Sequence, residues 1–141
     1  MYKSILLAVD LNDETSWTKA LPVAAGLCQG SGGNLHVITV VPGFGMSIVG
    51  SYFPENYEQE AIEKAMAQLK GFCDTNVPDG ISVQHVVGNG NVYEAVLKTA
   101  VDVNADLIVM AAHRPELSDY LLGPNAARVV RHAKISVLVV R

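Results

Sequence analysis

Asp10 and the stretch from Leu107 to Ala126 are the places where this chain could do chemistry. Asp10 ends a continuous aliphatic run, residues 4–9, of the kind that forms a strand covered on both faces. A carboxylate at the end of such a strand can hold a ribose hydroxyl or a magnesium ion carried on phosphates. It can equally cap the next helix or simply close the strand, and its spacing does not choose between these roles. The second stretch reads as a buried strand over 107–111, a polar loop containing His113, and a helix beginning near Pro124. A strand feeding a loop and then a helix N-terminus is the arrangement that binds phosphates in open α/β sheets.

Those residues need a sheet to hold them, and the rest of the chain predicts one. Asp13, Glu14 and Thr15 supply helix-start chemistry for a first helix running to about Gln29, with Trp17, Leu21, Ala24, Ala25 and Cys28 at core spacing. Glycines 30, 32 and 33 stop it. Residues 35–41 form the second strand, and residues 55–74 a helix with Ile62, Ala65, Met66, Leu69, Phe72 and Cys73 as its apolar stripe. Residues 81–87 alternate as an edge strand does, with His85 on the face of Val83 and Val87. Asn91 and Glu94 have capping-box spacing ahead of a third helix reaching about Asn104. A helix over 124–133 and a last strand over 136–140 complete a β-α-β-α-β-α-β-α-β series. This predicts an α/β fold, a doubly wound parallel sheet with helices on both faces. If the strand order is 3-2-1-4-5, the order reverses between strands 1 and 4, and Asp10 faces the end of the fourth strand across that reversal.

The bulk properties narrow the function. A chain of 141 residues is expected to be a single domain, residues 1–141, large enough for an aliphatic core. The net charge of -4 argues against a nucleic-acid surface, which needs clustered Lys and Arg. Residues 20–54 contain no Asp, Glu, Lys or Arg, but prolines and glycines break them into pieces shorter than the ~20 apolar residues of a membrane span. The expected setting is cytoplasmic, with Cys28 and Cys73 as reduced, buried thiols. The loop between Pro42 and Pro54 is long, uncharged and apolar, which suggests that it folds onto its own domain, a ligand or a second chain.

Two glycine clusters are set aside. Ser31-Gly-Gly-Asn34 precedes a strand instead of following one, and lacks the Asp-Ser of a pyrophosphatase loop. Gly88-Asn-Gly90 is expected to be a turn ahead of the Asn91 cap. His36, His85, His113 and His132 are scattered without metal-ligand spacing, and no nucleophile elbow is present.

Several segments resemble the universal stress protein family: Ile5-Leu-Leu-Ala-Val-Asp10, residues 35–41, Asp106-Leu-Ile-Val-Met110, Leu121-Leu-Gly123 and, most specifically, Val129-Val-Arg-His-Ala-Lys-Ile-Ser-Val-Leu-Val-Val140. The likeness covers nearly the whole chain. It implies the adenine-nucleotide alpha-hydrolase-like (Rossmann-like) fold, with five parallel strands in the order 3-2-1-4-5. Many members bind ATP through a G-x2-G-x9-G-(S/T) loop after strand 4. Here the match is partial: Ala111 and Arg114 replace the first two glycines, the spacing is one residue shorter, Gly123 matches the third, and Pro124 replaces Ser/Thr. The run Ala112-His-Arg-Pro115 with Tyr120-Leu-Leu-Gly resembles instead a short-loop subgroup of small bacterial members, some of which bind ATP.

The resemblance implies that Ala8 and Asp10 lie at the end of strand 1, with Asp10 near ribose or metal, and that Val40 flanks the adenine. Met110 and Ala111 would line base and ribose, His113 and Arg114 would approach the phosphates, and Gly123, Asn125 and Ala126 would form the helix anion site. Arg114 loses glycine's backbone freedom but brings a cation for phosphate oxygens. Pro124 fits the first helical position yet removes one phosphate-binding N–H. The expected ligand is ATP or another adenine nucleotide, with Mg2+ as a companion at Asp10. No residue supplies an evident general base, so fast hydrolysis is not expected. The family commonly dimerises through strand 5, and Ser136 to Val140 is an apolar, unblunted edge. The expected assembly is a homodimer with the loop between Pro42 and Pro54 as a second contact, and the expected role is a stress-response sensor or regulator that takes no nucleic-acid partner and touches no membrane. The alternatives are an adapter that has lost nucleotide binding and a slow ATPase.

Overall fold

The computed structural model describes residues 1–41, 57–112 and 124–141. Five strands form one parallel sheet: β1 (Ser4–Ala8), β2 (Asn34–Val41), β3 (Ser82–Asn89), β4 (Leu107–Ala111) and β5 (Ser136–Val140). Their order is β3-β2-β1-β4-β5, as expected. β1 lies at the centre, with Leu6 between His36 of β2 and Ile108 of β4. β3 is an edge strand and β5 is the other.

Among the described residues, four helices cover the sheet: α1 (Ala20–Ser31), α2 (Tyr57–Asn76), α3 (Val92–Asp102) and α4 (Pro124–His132). The strand pleat divides the core into two layers. Ile5, Leu7, Leu35, Val37 and Val109 pack against α1 and α2. Leu6, Ile38, Ile108 and Met110 pack against α3 and α4 through Val96, Ala100, Ala126 and Val129. This is why β1 and β4 read as aliphatic runs: both of their faces are buried, whereas the edge strands β3 and β5 are partly exposed. Full burial of each such side chain contributes about 1.5–3 kcal/mol. Among the described residues no helix is long and apolar enough to cross a membrane. Cys28 and Cys73 are free and buried, and burial raises both thiols, Cys73 to about 11.

Three local expectations need correction. The first helix does not begin at Asp13. Asp13 caps a single 3-10 turn (Glu14–Ser16) by accepting from the Thr15 N–H at 3.0 Å. Trp17 then leaves helical geometry at φ -135, and α1 starts only at Ala20. Trp17 still reaches the core layer, packing edge-on against Phe72 with ring centroids 4.9 Å apart. The capping box is also absent: Asn91 is extended, but its side chain makes no cap hydrogen bond, and the Glu94 carboxylate accepts from the Tyr93 hydroxyl at 3.3 Å. Gly88, expected in a turn, is part of β3. A Cβ there would stand 3.0 Å from the Ala95 Cβ and 3.2 Å from Ile38 Cδ1, so glycine lets α3 approach the sheet closely. The turn itself is made at Gly90, where φ is +94. The loop between Pro42 and Pro54 and the first two residues of the expected second helix lie outside the described residues.

Among the described histidines His36 alone is buried, at 5% exposure, and its Nδ1 has no hydrogen-bond partner among the described residues. Burial lowers its pKa below the usual 6.5, and a hydrogen bond with Gln84 opposes this. The folded protein therefore binds a proton at His36 less readily than the unfolded chain does. That contribution to stability is present above pH 6.5 and is lost as pH falls from there toward the folded-state value. Urea midpoints at pH 7.5 and 5 are expected to show this loss, and His36→Leu is expected to shrink it. An unchanged pH dependence in His36→Leu would remove His36 as its source.

Candidate functional site

The chain order reverses between β1 and β4, and a cleft of about 600 Å³ opens at their carboxyl ends. The two strand ends diverge because β1 leads toward α1 on one face and β4 leads toward α4 on the other. Ala8 and Asp10 form one side, Val40 of β2 the floor, Met110 and Ala111 the other side, and Asn125 and Ala126 the start of α4. Thus the structure brings together every expected site residue that lies among the described ones. His113, Arg114 and Gly123 fall outside them.

The wall following β1 is tied by its own hydrogen bonds. The Asp10 carboxylate accepts from the Asn12 N–H at 3.0 Å, and the Asp13 N–H donates to the Asp10 carbonyl at 3.0 Å. The Asp10 N–H donates to the Ser16 hydroxyl at 2.8 Å. That hydroxyl lies 2.7 Å from the Asp13 carbonyl and 3.0 Å from the Asp10 carbonyl, to which it donates in turn. Asp10 is exposed and lines the cleft while one of its oxygens accepts from the Asn12 N–H and braces the turn.

Several lining residues were not visible as site residues in the sequence: Asn12, Asp13, Thr15, Ser16, Ile38 and Val92. The polar ones arrive through the 3-10 turn, which the sequence presents as the first turn of a longer helix. On the opposite wall, Pro124 is the first residue of α4 and lines the cleft. Arg131 and His132 in its last turn complement the helix dipole. α4 is held to α3 by Tyr93, whose ring stacks on His132 at 6.0 Å and carries the Arg128 guanidinium 5.3 Å from its centroid. Among the described residues no group of three or more His, Cys, Asp or Glu side chains is placed to hold a metal ion.

An open parallel sheet with a cleft at its switch point defines a Rossmann-like α/β protein of the kind that takes small ligands there. Residues 1–141 match the Universal stress protein family. The chain belongs to that family. It is 35% identical over 147 residues to Universal stress protein G from Shigella flexneri, with both chains covered completely. Its fold is similar to that of a universal stress protein solved in complex with cAMP, with a TM-score of 0.62 and 22% identity over 99% of this chain and 97% of that one. It is also similar to the universal stress protein from Archaeoglobus fulgidus solved in complex with dAMP, with a TM-score of 0.62 and 18% identity over 99% and 98%.

Proposed function

We propose that this chain is a stress-response module that binds an adenine nucleotide in the cleft between β1 and β4 and acts as a dimeric sensor or regulator. The observation that carries this reading is the convergence of Ala8, Asp10, Val40, Met110, Ala111 and the start of α4 around one cleft of about 600 Å³. A volume in this range suits a nucleotide-sized ligand. Two proteins of the same fold, solved with cAMP and dAMP, support an adenine ligand. In this reading Val40 and Met110 hold the base, Asp10 accepts a ribose hydroxyl, and the N–H groups of Asn125 and Ala126 face phosphate. With a longer phosphate chain, Asp10 would also meet a magnesium ion carried on it. Dimerisation uses the outer edge of β5, which no described strand pairs and where Leu138 is 36% exposed. The setting is cytoplasmic.

Calorimetric titration of AMP and ATP, with and without magnesium, tests the reading. Saturable binding is expected, and none up to millimolar nucleotide would overturn it. Asp10→Ala is expected to weaken AMP about tenfold, the loss of one hydrogen bond to a charged acceptor. Asp10→Asn keeps the bond from the Asn12 N–H and separates ligand contact from turn support. An Asp10→Ala protein with wild-type affinity would place the ribose elsewhere.

A further inference from the structure

We propose that His36 makes the seat of α3 on the sheet acid-sensitive, so that a proton bound there loosens the α3 side of the cleft and weakens ligand binding. The regulation of the cleft rests on the adenine-nucleotide reading above; the acid response of α3 does not.

The strand pleat turns His36 toward α3, on the face it shares with Leu6 and Ile38. At its register β1 presents Leu6 and β3 presents Gln84. α3 packs across β2 and β3, and its inward side chains Val96, Thr99 and Ala100 are buried and do not ionise. The charged groups of α3, Glu94, Lys98 and Asp102, are exposed on its outer side, where Lys98 pairs with Asp102 at 3.8 Å. Tyr93 turns to α4, where it meets His132 and Arg128. Asp106, ahead of β4, holds the Lys3 and Ser4 amides. The ring of His36 therefore sits in an aliphatic layer with the Gln84 amide beside it, and among the described residues no carboxylate faces it.

An imidazolium carries an N–H at both ring nitrogens, and Nδ1 of His36 is buried with no partner among the described residues. Protonation thus places a charge and an unmet donor where nothing solvates them. Strands flank the ring on both sides and the sheet lies behind it, so the ring reaches water by α3 lifting from β2 and β3. His36 does not line the cleft, but the two elements it joins do: Val92 begins α3, and Ile38 and Val40 follow His36 along β2. A ligand that touches both walls needs α3 in place, so proton and ligand oppose each other by the same factor in either direction. Burial lowers His36 below 6.5, so the closed arrangement holds above that pH and is lost as pH falls from there.

Hydrogen exchange of the ligand-free protein at pH 7.5 and 5, corrected for intrinsic rates, reads the response. The amides of residues 96–102 are expected to lose protection about tenfold relative to those of α1, which packs on the opposite face. Adenosine, which brings no phosphate charge, is expected to bind about threefold more weakly at pH 5 than at 7.5. His36→Leu and His36→Gln each remove the titrating ring and are expected to flatten both responses, whereas His85→Gln, on the α2 face with Val83 and Val87, is expected to leave them in place. An NMR titration of the His36 ring in the unmodified protein makes the test independent of any variant: a midpoint below 6.5 that adenosine lowers further is expected. Equal loss of protection in α1 and α3, or an acid response of α3 that survives in His36→Leu, would overturn the proposal. An acid response of α3 without adenosine binding at either pH would overturn the adenine reading and leave the acid-sensitive seat standing.

Discussion

Ala111→Phe is expected to weaken AMP by more than about a hundredfold, or roughly 2.8 kcal/mol, while the protein keeps its fold. Ala111 is the last residue of β4, is half-buried, and lines the cleft directly opposite the β1 side. A benzyl group there enters the open space rather than the packed layers, so it does not force the core apart. It occupies the volume that base and ribose need. The backbone register of Ala111 with Val140, and the hydrogen bond from the Ala112 N–H to the Val140 carbonyl at 2.8 Å, are unaffected by the side chain. Calorimetry reads the affinity, and thermal unfolding read alongside it is expected to move by only a few degrees. Retained affinity in a folded Ala111→Phe protein would place the ligand outside this cleft.

The second large effect is structural. Asp106→Ala is expected to cost about 2 kcal/mol, lowering the melting temperature by about 4–8 °C. The Asp106 carboxylate accepts from the Lys3 N–H at 2.9 Å and from the Ser4 N–H at 3.1 Å, while the Asp106 N–H donates to the Ser4 carbonyl at 2.8 Å. One side chain thus aligns the starts of β1 and β4. Alanine leaves the half-buried Ser4 N–H without its charged acceptor, whereas the exposed Lys3 N–H turns to water, which is why the loss stays well below two full charge-assisted bonds. Asp106→Asn keeps one acceptor and is expected to fall between. A loss under about 0.5 kcal/mol would show that solvent replaces the carboxylate at both donors.

What the sequence makes legible follows from the range of each interaction. β4 was read at its observed bounds because an aliphatic run buried on both faces leaves a continuous local signature, and β5, a half-exposed edge, was read at its bounds from a short apolar run of the same kind. The sheet order and the placement of Asp10 against β4 followed from the family likeness. The misread start of α1 had local chemistry that was correct as far as it went. Asp13 does cap a turn, but a cap specifies where a helix begins and not how far it continues. The Ser16 hydroxyl and the geometry of Trp17 decide that, and neither leaves a pattern in spacing. Asp106 carries its effect across 103 residues of chain, and Tyr93 joins two helices through Arg128 and His132. Such contacts exist only once the chain is folded, so the wall residues Thr15 and Ser16 and the clamp at Asp106 had no local mark.

The central place of β1 has a consequence for the order in which the protein is made. Of the five strands of this sheet β1 is made first, and β2 and β3 are complete by Asn89. Its other flank belongs to β4, which begins at Leu107. A nascent chain can therefore assemble β3-β2-β1 while the middle of the future sheet is still an open edge, with the apolar Leu6 layer uncovered. Asp106 emerges immediately ahead of β4 and is the first group able to engage the waiting amides of Lys3 and Ser4. The residue that aligns two strands in the finished protein is thus positioned to close the most aggregation-prone interval of its synthesis.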